Sequence, residues 1–200
     1  MFYYLEGTVT IIDVNLAVLD IGGVGYACNA SMNTLSHLEI GKKARLYTYC
    51  NVKADAFDLY GFYDKAEKRA FEMLISVSGV GPRAAMSILS SATPEALALS
   101  IINDNAKALT AAPGIGKKIA QRIVLELKDK MSKETAALQG SGFVPPAAAT
   151  PGGKVNDAVS ALTVLGYTPN EITAALRTID TDALTVEQII REVLKGSVKQ

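Results

Sequence analysis

Apolar and polar positions alternate along the first third of the chain and then change period. Gly7, Val9 and Ile11 are set against Thr8 and Thr10, and Leu16, Val18 and Asp20 against Ala17, Leu19 and Ile21. A period of two predicts strands at residues 5–12 and 16–21. The same reading places strands at 25–30, 44–50 and 57–62, a short helix at 33–38, and a turn at Gly22-Gly23-Val24-Gly25. Five short strands in roughly 60 residues predict a small closed barrel, of which the OB-fold is the commonest binding type.

From Asp64 onward the spacing is three and four. Ala66, Ala70, Phe71, Leu74 and Ile75 share one helical face behind Asp64 as N-cap. Thr93-Pro94 opens a further helix carrying Leu97, Ile101 and Ile102, Asn103-Asp104-Asn105 interrupts it, and residues 106–111 resume it. Beyond residue 154 three short helical patterns, 156–165, 169–178 and 186–194, are ended by Gly166 or opened by Thr168-Pro169 and Thr185. Between them GSGFVPPAAATPGG is poor in large apolar residues and predicts a flexible linker. The expected organisation is α+β and multidomain: a barrel at 1–64, an all-α domain at 65–139, a linker at 140–153 and a three-helix module at 154–200 that binds another protein.

The all-α stretch contains one arrangement twice. Residues 74–89 read LISVSGVGPRAAMSIL and residues 109–124 read LTAAPGIGKKIAQRIV, so Gly79-Val80-Gly81 returns 35 residues later as Gly114-Ile115-Gly116. Each copy continues into a helix with an apolar stripe: Ala84, Ala85, Ile88 and Leu89 in the first, Ile119, Ala120, Ile123, Val124 and Leu127 in the second. Amides after the second glycine form the first turn of that helix and have no intrahelical partner. With the positive end of the helix dipole they make a site for a phosphate oxygen, and Arg83, Lys117, Lys118 and Arg122 lie beside it. The arrangement resembles the helix-hairpin-helix motif, which grips a nucleic-acid backbone without reading bases. A lone copy would equally suit an ordinary turn between helices, but two copies followed by basic residues favour the phosphate site. Neither copy supplies the GK[ST] of a Walker A loop, and the second lacks the third small residue of a dinucleotide fingerprint.

Charge supports the same segment. The net charge is zero, yet residues 64–130 hold ten Lys/Arg against seven Asp/Glu, while residues 1–63 hold four against six and residues 155–200 four against six. The basic excess falls on the repeats, where salt-sensitive backbone binding is expected. Cys28 and Cys50 have no ligand-pair spacing and read as reduced thiols, and the N-terminus has no basic n-region, so a cytoplasmic protein is expected. His37 is the only histidine, no carboxylate or cysteine cluster has metal-ligand spacing, and Asp55 and Asp58 form no evident acid/base pair. Neither catalysis nor a metal or cofactor is expected. Tyr3, Tyr4, Tyr26, Tyr47, Tyr49, Phe57 and Tyr60 could stack on bases, but their strand positions assign most of them to the core.

A barrel ending Asp58-Leu59-Tyr60-Gly61-Phe62, the pair GVGP and PGIGKK, and a tail containing Ala161-Leu162-Thr163-Val164-Leu165-Gly166-Tyr167 together resemble the RuvA family over essentially the full length. That family provides the Holliday-junction-binding subunit of the bacterial RuvAB branch-migration complex. The resemblance implies an OB-fold barrel, tandem helix-hairpin-helix motifs and a UBA-like C-terminal bundle. It also implies a homotetramer, or two tetramers around one junction, that holds four-way junction DNA open, recruits the RuvB ATPase and precedes cleavage by the RuvC nuclease. Carried over by position, the backbone clamps are Gly79, Val80, Gly81 and Arg83 with Gly114, Ile115, Gly116, Lys117 and Lys118. The partner surface includes Leu162, Leu165 and Tyr167, and the loop from Lys53 to Asp55 is an acidic pin at the tetramer centre. The family tends to carry two adjacent acids there, and this chain has Ala54-Asp55. On this reading a side chain at Gly79 or Gly114 would obstruct phosphate and leave the fold intact. Rival readings are a helix-hairpin-helix enzyme and an OB-fold adaptor for single strands or RNA.

Overall fold

The computed structural model describes residues 1–139 and 153–197; the expected linker therefore lies, apart from Gly153, outside the described residues. Strands β1 (Tyr4–Asp13), β2 (Leu16–Ile21), β3 (Val24–Ala30), β4 (Lys43–Val52) and β5 (Phe57–Phe62) form a closed barrel in the order β1-β2-β3-β5-β4, with helix α1 (Met32–Ser36) between β3 and β4. Only β3 and β5 run parallel; the other pairs are antiparallel. Strand alternation turns Leu5, Val9, Ala17, Leu19, Cys28, Ala30, Leu46 and Leu59 into the barrel. A register shift between Val9 and Ile11 interrupts the period within β1. Cys28 lies in this interior, where burial pushes its thiol up to about 12.

Eight helices follow among the described residues: α2 (Lys65–Ile75), α3 (Pro82–Ser91), α4 (Pro94–Ile102), α5 (Ala106–Leu109), α6 (Lys117–Gln139), α7 (Lys154–Val164), α8 (Pro169–Leu176) and α9 (Val186–Ser197). Short polar side chains start several of them. Asp64 accepts from the Glu67 amide, Thr93 from the Ala96 amide, and Thr168 forms a reciprocal capping box with Glu171. No single helix among the described residues is long and apolar enough to cross a membrane.

An aromatic and carboxylate joint connects barrel to helices. Phe71 of α2 packs against Tyr49, Tyr60 and Phe62, with ring centroids 5.2, 5.2 and 4.9 Å away. One turn earlier, fully buried Glu67 accepts hydrogen bonds from the Ser31 hydroxyl and, at 2.5 Å, from that of Thr34. Thr34 Oγ1 in turn accepts from the Tyr63 amide at 2.9 Å. The N-cap and the middle of α1 and the exit from β5 are thereby tied to the first turn of α2.

The outer barrel departs from the sequence expectation. Tyr47 and Tyr60 are buried, but Tyr3, Tyr4 and Phe57 remain 58%, 47% and 58% exposed: Tyr4 alternates outward from buried Leu5, Tyr3 precedes β1, and Phe57 stands at the open end of β5. Phe2 makes edge-to-face contacts with Tyr26 and Phe57, and Tyr3 makes one with Tyr4. The C-terminal helices are also seated rather than separate: α7 and α9 lie against α4, and α7 beside α6. Arg69 of α2 stacks over Tyr167 at 4.2 Å and pairs with Glu171 at 3.4 Å.

Burial raises the Glu67 carboxyl above its ordinary range, only partly offset by the two hydroxyl donors. A carboxyl raised in the folded state stabilises the fold at low pH, and that contribution is lost as pH rises through the folded value. Glu67→Gln, which keeps shape and an acceptor, should therefore lose part of the decline in Tm as pH rises above the ordinary carboxylate range and be the more stable protein at the upper end. Thermal denaturation of both proteins over that rise in pH checks this, and parallel profiles would rule out ionisation of Glu67 as a cause of the decline.

Candidate nucleic-acid interface

The two hairpins are built by the same backbone bonds. After α2, the Val77 amide donates to Leu74 at 3.1 Å and Val80 to Val77 at 3.0 Å; after α5, Ala112 donates to Leu109 at 3.2 Å and Ile115 to Ala112 at 3.1 Å. Each turn is closed by a glycine in the left-handed region, Gly79 at φ 84° and Gly114 at φ 82°. The next helix then starts with Ala85 donating to Gly81 and Ala120 to Gly116, both at 3.0 Å.

Val80 and Ile115 differ from the other clamp residues expected from the sequence. Their side chains are 4% and 5% exposed and join the apolar core with Leu74, Leu89, Leu109 and Ile123, and their amides already donate within the turns. They rivet the hairpins to the domain rather than presenting a group to solvent. The amides of Gly79, Gly81, Arg83 and Ala84, and of Gly114, Gly116, Lys117, Lys118 and Ile119, make no hydrogen bond among the described residues. Pro82, at the first helical position, has no amide to offer. Two groups of free donors thus sit at helix starts, where the dipole favours an anion.

Gly81 and Gly116 carry the clearest signal of an external ligand. Gly81 has an ordinary φ of −86°, Gly116 is not among the residues of positive φ, and a Cβ built on either meets nothing within 4 Å. The fold itself tolerates a side chain at both places. A closely approaching anion does not, since the Cβ would stand beside the free amides.

Arg83, Lys117 and Lys118 are exposed beside these amides and have no ion pair among the described residues. Arg122, expected in the same role, is instead engaged: its Nη1 donates to the Ser78 carbonyl at 3.2 Å, and its Nε lies 4.0 Å from Glu126. Glu126 also accepts from the Ser78 amide at 3.2 Å. Nothing in the local sequence marks Glu126, because the contact spans 48 residues.

The remaining expected positions lie elsewhere. Lys53, Ala54 and Asp55 form the exposed tip between β4 and β5, closed by the Lys53 amide donating to Ala56 at 2.8 Å. Leu162 and Leu165 are fully buried and Tyr167 is 4% exposed beneath Arg69, so all three are covered in this structure.

Family profiles match the chain in three places: the RuvA N terminal domain over residues 1–61, the SAM-like helix-hairpin-helix tandem over 71–129, and the RuvA C-terminal domain over 153–198. A relative from Acetivibrio thermocellus is 44% identical over 201 residues, covering 98% of each chain. Relatives from Ruminiclostridium cellulolyticum and Caldanaerobacter subterraneus are each 39% identical, over 98% and 100% of this chain and the whole of their own. All three are named Holliday junction branch migration complex subunit RuvA.

The positive φ at Gly79 and Gly114 corrects the expectation that a side chain there leaves the fold intact. Gly79→Ala and Gly114→Ala should each lower stability by about 1–2 kcal/mol, the cost of a left-handed alanine. Gly81→Ala and Gly116→Ala should stay within about 0.5 kcal/mol of the parent. Urea unfolding of the four variants measures the contrast, and equal losses at all four would show that the second glycine of each pair also serves the fold.

Proposed function

The chain belongs to the RuvA family, and on that premise we propose that it binds four-way junction DNA without regard to sequence, holding the junction open as a tetramer while the RuvB ATPase drives branch migration. The observation that carries this reading is the pair of hairpins with free amides and second glycines that the fold does not require. Backbone amides bind phosphate oxygens and carry no base information. Movement of a junction demands that indifference, since every base pair must pass the same contacts. Arg83, Lys117 and Lys118 add attraction that falls with salt.

One pair of hairpins cannot distinguish a junction from a duplex; several pairs around a closed assembly can. Exposed Phe2, Tyr3, Tyr4 and Phe57 on the barrel support such an assembly, because clustered aromatic surface ordinarily marks a covered face. In a fourfold arrangement the tip at Lys53 and Asp55 becomes the central pin, where carboxylates keep phosphates apart by like-charge repulsion. A second tetramer on the opposite face would complete an octamer, and RuvC would act on the opened junction. The subunit contributes no catalysis in this scheme; the ATPase supplies the work. The C-terminal module is the RuvB contact, with Leu162, Leu165 and Tyr167 available once it leaves its seat.

The exposed barrel aromatics also suit a second reading, stacking on single-stranded DNA or RNA. A titration against a synthetic four-way junction, a duplex and a single strand at several salt concentrations separates the two. The junction should bind on the order of a hundredfold tighter than the duplex, with log affinity falling by about 0.9 per phosphate neutralised for each decade of salt. Gly81→Ala and Gly116→Ala should weaken junction binding about tenfold, near the worth of one charge-assisted hydrogen bond. Tightest binding to the single strand would establish the second reading instead.

Asp55→Asn should tighten junction binding about two- to threefold by removing repulsion at the crossover, and should alter strand separation as reported by a base analogue there. No change in either quantity would make Asp55 an ordinary solvated loop residue.

A further inference from the structure

The 35-residue offset that relates the hairpins also relates two side-chain hydrogen bonds between them. Ser87 of α3 donates through Oγ to the Pro113 carbonyl at 2.7 Å, and Arg122 of α6 donates through Nη1 to the Ser78 carbonyl at 3.2 Å. Ser87 and Arg122 occupy equivalent places in the two copies, as do Ser78 and Pro113. The helix after each hairpin therefore reaches across and holds the carbonyl just ahead of the other hairpin's left-handed glycine.

We propose that Ser87 and Arg122 are positioning residues, a reciprocal brace that aims the phosphate-binding amides of the opposite hairpin and fixes the separation of the two sites. The proposal rests on the reading of the hairpins as phosphate sites. The reason lies in the peptide plane. In a trans peptide the C=O and the following N–H point in opposite directions. Anchoring the Ser78 carbonyl toward α6 thus directs the Gly79 amide the other way, and anchoring the Pro113 carbonyl toward α3 does the same for Gly114. Both glycine amides are among those without an internal partner. A glycine-flanked peptide is otherwise free to rotate, since no Cβ restrains it on the glycine side.

The partners of the loop residues fit this role. Ser78 has an amide as well as a carbonyl, and Glu126 accepts that amide at 3.2 Å while lying 4.0 Å from Arg122. Pro113 has no amide, and the position equivalent to Glu126 is Ser91, whose hydroxyl turns back to the Ser87 carbonyl of its own helix at 3.0 Å. An acceptor is present where a donor needs one and missing where none exists. The brace lies close to this turn: a Cβ at Gly79 would stand 3.4 Å from the Arg122 guanidinium, in van der Waals contact.

Hydrogen exchange and binding on the full chain test this with Ser87→Ala, Arg122→Met and the double variant. The protected turn amides of Val80 and Ile115 report on each hairpin. The expected pattern is crosswise: about three- to tenfold faster exchange at Ile115 in Ser87→Ala and at Val80 in Arg122→Met, the worth of one hydrogen bond. Junction affinity should fall by a similar factor with an unchanged salt dependence. Exchange that is unaltered, or faster only in the hairpin bearing the substitution, overturns the brace. So does crosswise exchange without any loss of junction affinity. A lower salt slope in Arg122→Met, by about 0.9 per contact, with unaltered Val80 exchange would make Arg122 a direct phosphate ligand instead. Failure of the underlying functional reading appears separately, as absence of junction preference in the parent protein.

Discussion

Backbone amides left without internal partners are the constraint around which the helical domain is built. An amide has no reach: unlike a lysine, it meets an anion only where the chain already holds it. On the proposed reading, every other feature of the two hairpins serves that placement. Gly79 and Gly114 permit the left-handed turn, Val80 and Ile115 fasten it to the core, and Pro82 or Lys117 begins a helix whose dipole favours the ligand. While hydrated, these donors carry no burial penalty, so the fold can leave them open.

The same lack of reach extends outward to the barrel. Amides that cannot adapt must be positioned by rigid connections, and α2 provides one through Phe71 among Tyr49, Tyr60 and Phe62 and through buried Glu67 on Ser31 and Thr34. Aromatic packing supplies the area, while the carboxylate has directional hydrogen bonds that a rotated α2 could not satisfy. Burial that raises its pKa shows the cost of that directionality. Whatever places the barrel in an assembly then places both hairpins as well.

Local chemistry was legible in the chain; contacts between distant segments were not. Asp64, Thr93 and Thr168 start helices as their side chains require, and the 35-residue repeat marks both hairpins in the sequence itself. Strand propensity could not tell that Tyr3, Tyr4 and Phe57 stay exposed, because aromatics favour strands whichever side they occupy. A basic residue beside a phosphate site looks like a ligand, so Arg122 hid its bond to a carbonyl 44 residues away. Val80 and Ile115 lie in the two turns, but only geometry separates a free amide from one already donated.

If a partner engages Leu162, Leu165 and Tyr167 as proposed, it competes with the seat formed by the contacts that α7 makes with α4 and α6 and that Tyr167 makes with Arg69. Its apparent affinity is reduced by the fraction of molecules in which the module has left that seat. The seat combines favourable and unfavourable contacts. Arg69 gains from the Tyr167 ring and from Glu171, but its Nη1 is buried without a hydrogen-bond partner, and such a group costs about 1–3 kcal/mol. The ion pair is partly open to solvent and adds little. Apolar packing of α7 and α9 on α4 must therefore provide most of the holding energy. A partner able to cover the same apolar face while leaving Arg69 to water would remove the penalty along with the contact, which makes exchange of one cover for the other easier than burial alone suggests.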